Sequence, residues 1–128
     1  MKIDDPLVLA EVEAASDRYE TALRSNDLDT MDASFWQDAR VRRISGRDEL
    51  LGIENIRRFR AGRAPNDAAR DYLSRDITCF GEHTAIINIT FLRKADARVG
   101  RQTQTWVHMN GDWRIVSAHI SFRETQNP

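Results

Sequence analysis

The chain has 128 residues, 41% of them hydrophobic, with 19 basic against 20 acidic side chains and a formal net charge of -1. That length holds one domain, residues 1–128, and no second core, and the apolar fraction excludes a disordered chain. Near-neutral charge excludes a whole-molecule field that would gather nucleic acid or an anionic membrane, so any recognition of charge has to be local.

The cations are almost all arginine, with Lys2 and Lys94 the only lysines, and guanidinium is the better fork for carboxylates. Cys79 stands alone inside an apolar run, so there is no disulfide framework and a small core residue is expected. No basic region followed by an apolar one opens the chain, and no window reaches membrane-spanning length. The expected location is cytoplasmic.

Asp5-Pro6 predicts a helix start, because Asp caps free amides and Pro fits the first turn. Leu9, Val12, Ser16, Tyr19 and Leu23 then recur at helical spacing as one core-facing stripe. Tyr19 is its polar member, and a buried phenol must find a partner. Asn26-Asp27 breaks this helix, and Leu28 to Trp36 reads as a short second one that turns Phe35 and Trp36 inward. Arg40 to Ile44 reads as a short strand before a turn at Ser45-Gly46-Arg47-Asp48. Alternation sends Arg42 and Arg43 to opposite faces without deciding which points inward. Gly52 precedes a third helix with Ile53, Ile56, Phe59, Arg60 and Arg63 on one face. Arg60 and Arg63, one turn apart, either grip a dianion together or snorkel to solvent. Pro65-Asn66-Asp67 ends this helix, and polar residues carry the chain on to Arg75.

From there the pattern is sheet: Asp76 to Phe80, Thr84 to Arg93, Arg101 to Met109 and Trp113 to Arg123 are β-branched and aromatic, and Asn110-Gly111 is a two-residue hairpin signal. Helices followed by a long antiparallel meander predict an α+β domain with the sheet curled around the helices. In the third of these strands Gln102, Gln104, Trp106 and His108 share one face. Neither face is cleanly apolar, so the strand either lines a polar pocket or is an edge with one solvated side. In the last strand Trp113, Ile115, Ser117, His119 and Ser121 share one face, while Val116, Ala118, Ile120 and Phe122 form the core face. His119 either orients a ligand or is structural or exposed.

The sequence has no metal-ligand spacing, no glycine-rich phosphate loop and no nucleophile elbow, so neither metal nor cofactor is expected. The remaining Tyr, Arg, Gln, His and Trp side chains suit a small, planar, anionic, amide-rich ligand.

The segments Tyr19-Glu20-x-Ala22-Leu23-x-x-Asn26-Asp27, Phe35-Trp36, Phe59-Arg60-Ala61-x-Arg63, Gly100-Arg101-Gln102-Thr103-Gln104-Thr105-Trp106 and Trp113-Arg114-Ile115-Val116-Ser117-Ala118-His119 resemble the AtzH-like family, from about Tyr19 to Ser121. The resemblance implies a nuclear-transport-factor-2-like (cystatin-like) fold, a cone-shaped curved antiparallel sheet wrapped around N-terminal helices and usually a homodimer. Members are similar to 1,3-dicarboxyurea decarboxylase of cyanuric acid breakdown and to proteins of oxalurate catabolism, and use no metal or organic cofactor. The family's pocket tyrosine falls on Tyr19. Its strand arginine falls on Arg43, or on Arg42, since Arg42-Arg43-Ile44-Ser45 departs from the family's usual arginine, aromatic and glycine. By this resemblance Tyr19 is the proton donor and Arg43 the carboxylate anchor of a decarboxylase. Arg60, Arg63, Gln104 and His119 assist binding, and Trp36 and Trp106 keep the site dry. Two alternatives are a non-catalytic partner of an amidohydrolase in the same pathway, and an isomerase or dehydratase whose base would be His108 or His119.

Overall fold

The computed structural model describes residues 1–124. The first helix, α1 (Pro6–Ser25), starts where Asp5 accepts a 2.9 Å hydrogen bond from the Leu7 amide and ends at Asn26, whose φ of 53° is left-handed. Val12, Ser16, Tyr19 and Leu23 are buried along the expected stripe, joined by Val8 and by the carboxylate of Glu20. Helix α2 (Leu28–Ala33) is capped by Asp27 and stops short of the expected Trp36. The cause is the sheet: the Ile115 amide donates to Ser34 at 2.8 Å and the Trp36 amide to Ile115 at 2.9 Å. This bridge carries Phe35 into the core at 0% exposure and leaves Trp36 half-buried under the Arg40 guanidinium, 4.7 Å away.

A hairpin follows. Strand β1 (Arg42–Ser45) turns through Gly46, whose φ of 56° favours glycine, into β2 (Asp48–Leu51), a strand the sequence pattern did not suggest. Its Asp48-Glu49-Leu50-Leu51 run lacks alternation, and it is held as an edge by pairing with β1. Helix α3 (Ile53–Ala61) ends before Arg63 rather than at Pro65.

Strand β3 (Arg70–Phe80) begins well before Asp76, and the stretch expected to be loop is sheet. It is the other edge strand, with a bulge between Tyr72 and Ser74 that scrambles its alternation, so its polar outward residues read as loop. Strands β4 (Thr84–Arg93), β5 (Val99–Met109) and β6 (Asp112–Phe122) complete a six-stranded sheet in the order β2-β1-β6-β5-β4-β3. The sheet is mostly antiparallel rather than wholly so, because β1 runs parallel to β6, with Arg43 opposite Ala118. The architecture is α+β, with α1 packed on β3, α3 on β2, and α2 between these two helices. No helix among the described residues is long and apolar enough to cross a membrane.

One irregularity decides which side chains face inward. Thr105 pairs with Ser117 but Trp106 pairs with Ile115, so Val116 is an extra residue in β6. A bulge of this kind shifts the alternation by one residue. Trp113 and Ile115 point inward before it, and Ala118 and Ile120 after it. His119 is therefore on the exposed outer face, beside Thr103 and Ile44, not on the face it was expected to share with Trp113.

Candidate ligand cavity

The inner face of the sheet does not close completely against the helices. A cavity of about 550 Å³ remains, lined by Tyr19 from α1, Arg43 from β1, Phe59 and Arg63 from α3 and beyond it, Arg70 from β3, Phe91 and Arg93 from β4, and Gln102 from β5. Two features of the chain make the room. The far end of the Phe91 ring reaches over Gly100, where an added Cβ would stand 2.2 Å from it, so only glycine lets the aromatic settle against β5 there. The second is the end of α3 at Ala61, which leaves Gly62 and Arg63 at the rim.

The lining is strongly cationic. Arg70 is buried but spent, since its Nε and Nη2 meet the two oxygens of buried Glu20 at 2.8 and 2.6 Å. Arg43 is 7% exposed, lies 5.0 Å from the Phe59 ring centroid, and its Nη1 has no hydrogen-bond partner among the described residues. Burial, with repulsion from Arg60, Arg63 and Arg70, outweighs the attraction of Tyr19 and pulls its pKa down to about 10. Arg63 stacks 5.4 Å from the same ring, and burial followed by Arg60 lowers its pKa as well. A buried donor without a partner is unusual, and this one belongs to a residue that lines the cavity.

Tyr19 sits at the centre of this charge. Arg60 donates from Nη2 to its hydroxyl at 3.3 Å, which leaves the phenol's own proton free. Burial by itself raises the phenol, but the charges of Arg60, Arg70 and Arg43 and the Arg60 hydrogen bond together bring its pKa below the ordinary tyrosine value. Arg60 does not line the cavity: it lies behind Tyr19, 4.8 Å from the Phe35 ring, with Nε 3.3 Å from Asp32.

The two glutamines of β5 differ in reach. The indole Nε1 of Trp106 donates to Gln104 Oε1 at 2.9 Å, and Gln104 Nε2 donates to Gln102 Oε1 at 3.1 Å. Strand spacing makes this possible, since side chains at i, i+2 and i+4 stand in a row on one face. Only Gln102 ends the row at the cavity, while Gln104 and Trp106 are buried behind it at 0% and 1% exposure.

Of the residues singled out from sequence, the fold brings Tyr19, Arg43 and Arg63 to one cavity. Between the two arginines left open by alternation, Arg43 is the one turned inward, and Arg42 is exposed opposite Glu49 at 3.8 Å. Five expected site residues are elsewhere, Arg60 behind Tyr19 among them. Gln104 and Trp106 stand behind Gln102, Trp36 is held outward by its backbone bridge to β6, and His119 is turned away by the bulge. His108, half-buried, stacks 5.9 Å from His83 and is not part of the lining. The carboxylates at the cavity are Asp48 and Asp67, the latter 3.7 Å from Arg93. Gln102, Arg70 and Arg93 were missed. Gln102 carried a signal, being on the same face as Gln104, whereas Arg70 was hidden in the stretch read as loop.

A family model for AtzH-like proteins matches residues 1–126. Among solved structures, a Pectobacterium atrosepticum protein described as having unknown function is 40% identical, with 95% of each chain covered and a TM-score of 0.90. A cystatin-like fold protein from Burkholderia xenovorans is 33% identical over 98% of this chain and 99% of that one, with a TM-score of 0.91. A nuclear transport factor 2-like superfamily protein from Salmonella enterica shares the fold at 20% identity, covering 95% of each chain with a TM-score of 0.76. Comparison with curated proteins gave no match. The curved sheet over three helices, with a cavity between them, is thus the nuclear-transport-factor-2-like, cystatin-like fold, and within it this chain belongs to the AtzH-like family.

Proposed function

We propose that the cavity binds a small N-carboxylated urea, 1,3-dicarboxyurea or a close relative, and releases carbon dioxide from it. The observation that carries this reading is Arg43, a buried guanidinium with an unpartnered Nη1, lining the same cavity as Tyr19. Membership of the AtzH-like family adds support.

In this reading Arg43 and Arg63 hold the carboxylate that stays, which fixes the ligand in one pose. As the bond between nitrogen and the departing carboxyl carbon breaks, its electron pair remains on nitrogen and carbon dioxide leaves. The Tyr19 hydroxyl gives its proton to that nitrogen. The phenolate so formed keeps the hydrogen bond from Arg60 and is reprotonated by water, so one proton is consumed for each carbon dioxide released. The charges that lower the Tyr19 pKa ease this transfer. The apolar walls contributed by Phe59 and Phe91 suit a carboxylate whose charge disperses as it leaves.

The test is carbon dioxide release from a panel of freshly made N-carboxylated ureas. Turnover is expected with the purified protein, and Tyr19→Phe should lower the rate by about 100-fold or more while the protein stays folded. No turnover on any member of the panel overturns the catalytic reading. Anion binding without turnover would instead indicate an accessory protein that holds a product.

A further inference from the structure

We propose that Gln102 determines which ligands the cavity accepts, and that Trp106 sets its polarity through Gln104, so that the ligand must present an oxygen acceptor to Gln102 Nε2. The inference rests on the cavity being an anion site and adds what that anion must offer beyond its charge.

An isolated glutamine presents its oxygen or its nitrogen by rotating half a turn, and the two are interchangeable to any neighbour that both donates and accepts. This row is not free to choose. The indole Nε1–H of Trp106 can only donate, so Gln104 must turn its oxygen to it, at 2.9 Å. The Gln104 nitrogen then faces Gln102, which must also turn its oxygen inward, at 3.1 Å. That leaves Gln102 Nε2 without an acceptor among the described residues, at the cavity wall. Reversing any one amide would set two donors or two acceptors against each other at 0–4% exposure, where water cannot repair the mismatch. Arg43, two strands away across β6, also has only donors to offer. A carboxylate, with two oxygen acceptors and no donor, satisfies both groups, whereas a terminal carboxamide has one oxygen for them and N–H groups that neither can accept. Trp106 and Gln104 are positioning residues here, since neither lines the cavity.

Glutarate, a stable dicarboxylate of the same chain length as dicarboxyurea, and its monoamide glutaramate are the probes, with affinities measured by calorimetry. Wild-type protein is expected to prefer glutarate, but loss of one charge contributes to that preference, so the decisive quantity is how the ratio changes. Trp106→Phe keeps an aromatic ring and frees the row to reverse. The preference should fall by about fivefold or more, because Gln102 can then offer oxygen to an amide. Gln104→Met interrupts the row without altering the aromatic packing and should give the same fall. In isotope-edited NMR of the wild type, glutarate should move the side-chain amide signals of Gln102 and leave the Trp106 indole signal nearly fixed. A preference unchanged in both variants, or Gln102 amide signals that stay still when glutarate binds, overturns the proposal. If glutarate does not bind the wild type at all, it is the anion-site reading that fails.

Discussion

The two faces of β5 carry similar side chains in opposite circumstances. On the outer face Arg101 and Thr103 are exposed, Thr103 donates to Asn88 at 2.7 Å, and the surrounding cleft mixes Ser74, Asp76, Thr90 and His119. On the inner face Gln102 and Gln104 are as polar but buried, and each polar side-chain atom of the row they form with Trp106 meets a neighbour except Gln102 Nε2. Outside, water completes whatever bond is left open, so the pattern carries little information about a ligand. Inside, an unfinished bond is costly, and what remains unfinished describes the partner.

The same contrast holds for ion pairs on α1, which gives the largest expected effect. Glu20 pairs with Arg70 with side chains 3% and 6% exposed, while Asp17 pairs with Arg75 from a 58% exposed position. Glu20→Gln leaves a buried guanidinium without its counter-charge and should destabilise the protein by about 3–5 kcal/mol. Asp17→Asn should cost about 1 kcal/mol or less. Equal losses in urea denaturation would remove the distinction between the faces.

Next in size, and of opposite sign, is Arg43. The fall of its pKa to about 10 means that the folded state pays to keep it charged. Because a base with a depressed pKa is penalised wherever it is protonated, this cost is full at neutral pH and is relieved only as pH rises above about 10. By the usual conversion it amounts to about 3 kcal/mol. Arg43→Met should therefore raise the melting temperature of the empty protein while abolishing the further rise expected of the wild type with a dicarboxylate. A variant less stable than wild type would mean that the guanidinium already has a partner.

A smaller effect separates the two tyrosines of the chain. Tyr19 is shifted down by the arginine charges that outweigh its burial, whereas Tyr72 is shifted up by burial and the charge of Glu20. Tyrosinate absorbance should accordingly rise in two steps on either side of the ordinary value, and Arg60→Met should move the lower step upward. The depressed phenol adds nothing to stability at neutral pH. It contributes only as pH rises past its folded value, where the raised Tyr72 acts in the opposite sense. One merged step would contradict both shifts. Least affected should be His119→Gln on the outer face, with stability within about 0.5 kcal/mol and dicarboxylate affinity unchanged by calorimetry.

Sequence alone made the three helices, strands β4 to β6, the second half of β3 and the inward turn of Tyr19 legible, because each rests on a period or a cap that local chemistry sets. Arg43 was reduced to one of two neighbours, and the choice depended on pairing with Ala118 from the far end of the chain. His119 was misplaced because nothing in Ile115-Val116-Ser117 announces a bulge; it arises from how β6 meets β5. Gln104 was favoured over Gln102 since the two are equivalent by parity, and only the position of Trp106 makes one of them the end of the row. Arg70 was lost to an edge strand whose outer residues look like loop.

The parallel seam between β1 and β6 has a consequence for how the protein is made. The hairpin of β1 and β2 joins the rest of the sheet through residues 117–120, so Arg43 waits, during synthesis, for the last strand described. Until that strand clears the ribosome the nascent chain can form helices and pair β3 with β4 and β5, but Arg43 is not yet held at the cavity wall. On the proposed reading, an anion would therefore stabilise only chains whose synthesis has passed β6.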